Sequence, residues 1–249
     1  DLFYAFTSYM VSKQIAGSSV NKKIKDEQAK PSPDQSFIES YRTELKSIYD
    51  SMQVFTNQFI KNNPDNLFAK TQKLAQNVEI PETPPAGNTD SNWKYNYYVN
   101  HYWDNCDFNE TALIYTPVFA PRLEEYYEKV IIPSSDTIIK YSDMLIKKAE
   151  NNPELFKYIV WYISSRYERS KYLNHDAVFV HIVKNYYAKG RCPWVDETVL
   201  ENMTRRAEIM DRILIGKTAP FLVMPDTNGN FHSNYELNVD YTIMWFWDT

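Results

Sequence analysis

Glycine is scarce in this chain of 249 residues. The five present, Gly17, Gly87, Gly190, Gly216 and Gly229, are each isolated. A loop that wraps phosphate with backbone N–H groups needs glycines at short spacing, so nucleotide-binding loops of that kind are not expected. Cysteine is scarcer still. Cys106 and Cys192 lie far apart, which leaves neither a CxxC pair nor a zinc knuckle. They read as free buried thiols, with a disulfide between them as the alternative. Positive charge is not in excess: 27 Lys and Arg face 32 Asp and Glu, a formal net charge of −5. The two signs are interspersed, with no basic face for a phosphate backbone, so no nucleic-acid partner is expected. No apolar run approaches the roughly 20 residues that span a bilayer, so no transmembrane segment is expected. The chain opens at Asp1 without a methionine or signal peptide and stops after an apolar run. Both ends are expected to be products of processing or cutting.

What is present is apolar and aromatic. Hydrophobic residues make up 43% and aromatics 16%, ample for a packed core. Residues 2–16 place Phe3, Phe6, Met10 and Val11 near helical spacing, with Gly17 as an expected stop. Residues 17–33 are polar and end in Pro31-Ser32-Pro33, which reads as a loop. A long helix should open at Asp34 or Ser36. Its apolar positions, from Phe37 and Tyr41 through Leu45, Ile48 and Met52 to Phe55 and Phe59, alternate gaps of three and four on one stripe. A shorter helix is expected near 65–76. Pro81, Pro84, Pro85 and Gly87 then rule out a helix through 78–92.

Further starts are written in capping residues. Ser134 with Asp136, Asn152-Pro153, Asn174 and Asp196 should open four helices in turn. About eight amphipathic helices without interleaved strands describe an all-α domain over residues 1–212. After about residue 213 the pattern changes. Pro220 to Pro225 is a short apolar run, and Asp226-Thr227-Asn228-Gly229 is a hairpin turn signal. Residues from Tyr241 to Trp247 form a continuous apolar run. It reads as a strand buried on both faces, as at the centre of an α/β sheet.

Gly216, Ala219, Pro220 and Phe221, then Asp226 and Gly229, then the run from Tyr241 to Thr249, resemble the opening of a TlpA-like or AhpC/TSA-like thioredoxin domain. In that family a strand of the "F-W-A-T-W" kind leads directly into CxxC. The stretches Asn100–Phe108, Asp176–Tyr187 and Pro193–Glu197 resemble a helical domain of unassigned function. It precedes the thioredoxin domain in some envelope proteins of Gram-negative bacteria. The family form carries Phe where Cys106 stands, which argues against a redox role for that thiol.

The resemblance implies a mostly α chain. An all-α accessory domain, 1–212, would be followed by the first hairpin and first central strand of a thioredoxin-like α/β domain, 213–249, cut before its catalytic cysteines. The parent would be a thiol–disulfide oxidoreductase of the periplasm or cell envelope, exchanging disulfides with protein or peptide thiols. This chain would be its redox-inactive, partner-holding part. Phe246, Trp247, Asp248 and Thr249 would form the platform leading to a CxxC just beyond Thr249. A thiol placed there, at a helix N-terminus, has its thiolate stabilised and its pKa lowered. The rival reading is a non-enzymatic helical module that binds a peptide or glycan.

Other clusters carry less. Six aromatics fall between Trp93 and Trp103. Of these Trp93, Tyr97, Tyr98, Tyr102 and Trp103 could line a ligand groove, or could simply fill space between helices. His101, Asp104 and Asp107 lack a second His or Cys for a metal site. His175 and His181 are six apart, about 600° around a helix, and do not share a face. No metal site and no cofactor are expected.

Overall fold

The computed structural model describes residues 2–245. Among them the chain is predominantly α-helical, with one two-stranded antiparallel sheet. It divides into two units between Ile131 and Ile132. The division lies inside the stretch expected as one all-α domain, and position 212 is the residue that caps the last helix.

The first unit begins with a helical hairpin. α1 (Leu2–Gln28) runs straight through Gly17, which was expected to end it. The reason is local. A glycine stops a helix when the chain turns into the left-handed region, and Gly17 does not. It is buried where α1 lies against α2, its α-carbon facing Leu45 and Ile48. The break comes at Pro31 and Pro33 instead. Asp34 then caps α2 (Gln35–Asn62) by accepting from the Ser36 N–H at 2.8 Å. The α2 stripe packs on α1 in two clusters: Ile38 with Val20 and Ile24, and Phe59 with Phe6, the latter joined by Ala69 of the helix that follows. Phe37, expected on that stripe, is exposed, and its neighbour Ile38 is buried in its place. α3 (Leu67–Ala75) is capped by Asn66, and no helix crosses 78–92. α4 (Trp93–His101), a 3₁₀ turn (Thr111–Tyr115) and α5 (Phe119–Glu125) follow. α5 runs into a π turn (Tyr126–Val130), closed by the Ile131 N–H on the Tyr126 carbonyl at 3.0 Å.

The second unit contains α6 (Ser135–Lys148), α7 (Pro153–Glu168), α8 (Asp176–Ile182) and α9 (Glu197–Asp211). Ser134, Asn152 and Asp196 cap α6, α7 and α9 as their types predict, with Pro153 at the first position of α7. The inner face of α7, Phe156, Ile159, Val160, Ile163 and Tyr167, is buried throughout. Each such side chain contributes roughly 2 kcal/mol on leaving water. Asn174 is not the cap of α8. It sits at φ 65°, and its amide donates to the Ser135 hydroxyl while His175 takes the cap position. A short polar side chain tolerates that left-handed backbone better than most. α8 also ends in a π turn (Val183–Tyr187), and the helical segment closes before Gly190, φ 71°.

β1 (Val223–Pro225) and β2 (Phe231–Ser233) form the expected hairpin, with Met224 opposite His232. The Asp226 carboxylate accepts from the N–H groups of Asn228 and Asn230 at 2.8 and 2.9 Å, and Gly229 supplies the positive φ the turn needs. Residues 241–245, expected as the start of a buried central strand, are in no strand. Tyr241, Ile243 and Trp245 are largely exposed. A strand exists only where its N–H and C=O groups find a partner edge, and among the described residues no strand pairs with these. The rest of that run, with the platform Phe246, Trp247, Asp248 and Thr249, lies outside the described residues.

Candidate functional site

The aromatic run divides by depth. Tyr102 and Trp103 are buried, whereas Trp93, Tyr97 and Tyr98 are half-buried. Tyr102 stacks on Tyr126 at 5.0 Å between centroids, and Trp103 meets Tyr126 edge-on at 5.5 Å. The Tyr102 hydroxyl donates towards the Arg122 carbonyl (3.2 Å) and Glu125 Oε2 (2.9 Å). Arg122, itself buried, lays its guanidinium 4.3 Å from the Tyr102 ring centre and donates to the Tyr102 carbonyl at 3.0 Å. Burial pushes the Tyr102 phenol well above its ordinary pKa, opposed by the nearby guanidinium. Nearer the surface, Tyr97 stacks on His101 at 4.1 Å, and His101 Nδ1 bonds Asp104 at 2.5 Å. Lys70 reaches Asp107 at 3.0 Å and Glu110 at 2.8 Å. Asp104 and Asp107 thus bond separate partners, and no metal-ligating group of three occurs among the described residues.

A second cluster was not visible in the sequence. Asp143 on α6 accepts from His181 Nε2 on α8 at 2.9 Å and from the Tyr186 hydroxyl in the π turn at 2.7 Å. Burial pushes its carboxyl up, but the hydrogen bonds from His181 and Tyr186 outweigh that and hold it below the usual range. Asn185 Nδ2 lies 3.2 Å from His181 Nδ1, and the Arg191 guanidinium covers the Tyr186 ring at 4.8 Å. With Nε2 donating to the carboxylate and Nδ1 accepting from the amide, both imidazole nitrogens are occupied. His181 is therefore a clasp between helices rather than a base facing a substrate. His175 bonds elsewhere, to Ser170 and to the Pro133 carbonyl, as the six-residue spacing requires.

Both cysteines are free thiols. Cys192 is buried, and desolvation pushes its thiol up to about 12, so it does not ionise at neutral pH.

The first unit also carries a polar cleft of about 750 Å³. It lies among α2, α3, the segment leaving α3 and the turn after α4, and Gln53, Asn57, Gln76 and Asn105 stand on its wall.

Comparison with curated proteins by sequence gave no match. Among solved structures, a thioredoxin-like protein from Bacteroides caccae is similar, with a TM-score of 0.46 and 20% identity. The likeness covers 66% of this chain and 59% of that one, so the chain spans less than two thirds of that protein's length. Residues 59–212, well over half of the chain, match the family described as a domain of unknown function, DUF5106. The chain belongs to that family.

Proposed function

We propose that this chain is the helical, partner-holding region of a thiol–disulfide oxidoreductase of the Gram-negative periplasm or cell envelope. Its thioredoxin-like domain of the TlpA or AhpC/TSA kind opens at about residue 213. The observation that carries this reading is the ordered motif after α9. Gly216, Ala219, Pro220 and Phe221 are followed by the Asp226–Gly229 turn, and a hairpin is folded on that turn.

In this reading the run ending at Phe246 and Trp247 becomes a central strand once neighbouring strands supply its hydrogen bonds. Asp248 and Thr249 then stand at the approach to a helix N-terminus carrying the first cysteine. Unpaired N–H groups there stabilise the thiolate, which attacks a disulfide of a protein or peptide partner. One sulfur–sulfur bond breaks as the mixed disulfide forms, and the second cysteine of the CxxC releases the reduced partner. The 249 residues alone hold no vicinal dithiol.

The test is the natural gene product carried past Thr249. A CxxC within about three residues, with insulin reduction lost on changing either cysteine to serine, is the expected result. A continuation without two neighbouring cysteines overturns the proposal. So does catalysis by residues 1–249 that depends on Cys106 or Cys192.

A further inference from the structure

The polar cleft in the first unit has a composition that narrows its ligand. Six carboxamide side chains line it, from Gln53, Asn57, Gln72, Gln76, Asn77 and Asn105. Glu79 and Asp104 are its charged residues, while Ala75 and Val78 are its apolar ones. Its volume of about 750 Å³ is that of a ligand site, but such sites are ordinarily lined mostly by apolar groups.

Four of the amides are linked by hydrogen bonds. Asn57 Oδ1 accepts from Gln53 Nε2 at 3.1 Å and from Gln76 Nε2 at 2.7 Å, which fills both of its lone pairs. Asn57 Nδ2 is then left as a donor, while Gln53 and Gln76 keep their carbonyl oxygens as acceptors. Asn105 gives a proton to the Gln76 backbone carbonyl at 3.3 Å and keeps its own side-chain oxygen. The wall therefore presents donors and acceptors side by side.

We propose that this cleft binds a neutral, polyhydroxylated ligand, an oligosaccharide. Each sugar hydroxyl donates and accepts at once, and a carboxamide answers both roles without charge, through separate donor and acceptor atoms. Anions are disfavoured because no lysine or arginine lines the cleft and two carboxylates do. A lipid tail finds only Ala75 and Val78. An extended peptide needs pockets for alternate side chains, which these two small groups do not form. This inference is independent of the oxidoreductase reading, since no residue after Asn105 takes part.

The experiment uses the 249-residue chain and a panel of neutral trisaccharides (maltotriose, cellotriose, xylotriose and chitotriose), with inorganic phosphate and tri-alanine as controls. Binding is read by saturation-transfer NMR and calorimetry. At least one trisaccharide should bind with a dissociation constant of roughly 0.1–10 mM, and Asn57→Leu should weaken it about tenfold or more. Gln72→Leu, on another wall, should do the same and guards against a fold defect in the first variant; circular dichroism confirms that each variant is helical. Absence of binding across the panel overturns the proposal. So does sugar binding untouched by both variants, or tri-alanine or phosphate binding as tightly as any sugar.

Discussion

Changing Tyr102 to Phe removes one hydroxyl from a fully enclosed ring of the first unit and leaves its packing. Tyr102 is fully buried, and its proton is shared between the Arg122 carbonyl at 3.2 Å and Glu125 Oε2 at 2.9 Å. Arg122 O also accepts the intrahelical bond from the Tyr126 N–H, so it is not orphaned by the change. Glu125 is exposed and can recover water. The loss should therefore sit near the ordinary net worth of one hydrogen bond, about 1 kcal/mol, rather than near the cost of stranding a buried charge. Phe keeps the face against which Arg122 lies. Arg122→Met replaces a buried guanidinium, whose Nε has no hydrogen-bond partner, with an apolar chain of similar reach. It should fall within about 1 kcal/mol of neutral. The hydroxyl bonds the backbone of residue 122 and not its guanidinium, so the double-mutant cycle should give coupling below about 0.5 kcal/mol. Urea unfolding followed by far-ultraviolet circular dichroism measures all four corners. A loss above about 3 kcal/mol for Tyr102→Phe, or coupling above about 1 kcal/mol, would refute this account of the network.

Gly17→Ala should stabilise the protein by about 0.5–1 kcal/mol, because the added methyl meets Leu45 at an ordinary 3.5 Å and the helix gains propensity; a lower urea midpoint would mean that α1 and α2 are closer than described. Alkali should unfold the second unit. Burial raises the phenols of Tyr167 and Tyr187 to about 12, so their contribution is complete below pH 10 and is lost as pH rises towards 12; tyrosinate absorbance and helix loss should coincide, and ionisation at pH 10 in a fully helical protein would refute it. A chain ending at Arg212 should stay helical with a midpoint within about 3 °C of the parent, since Ser233 is the one buried side chain described between 213 and 245; collapse of its circular dichroism signal would show that the hairpin segment is part of the helical core.

The parts of the fold legible in the sequence were those written locally. Asp34, Ser134, Asn152-Pro153 and Asp196 each hydrogen-bond or preorganise their own first turn, so their meaning does not depend on tertiary context. The turn at Asp226–Gly229 is local in the same sense. Gly17 misled because a glycine's effect depends on its φ, and here that φ is helical. The run from Tyr241 misled because strand formation needs a partner edge that composition cannot supply. Tyr102 and Trp103 could be read as groove or core, and only their neighbours decide which. The Asp143 clasp was hidden by geometry. His181 and Tyr186 are five apart, about 140° off alignment in an α-helix, yet both reach one carboxylate because the π turn takes up the difference.

That π turn can also be viewed as an insertion preserved within a helix. Removing Lys184, an exposed residue inside it, would restore an uninterrupted α-helix and leave the composition of the core unchanged. His181 and Tyr186 would then be four apart, about 40° from alignment in an α-helix, so Tyr186 would still face Asp143. The same deletion in a helix without a π turn would swing every later residue by about 100°. The π turn therefore gives this segment a way to differ by one residue in length while the side chains beyond it keep their neighbours.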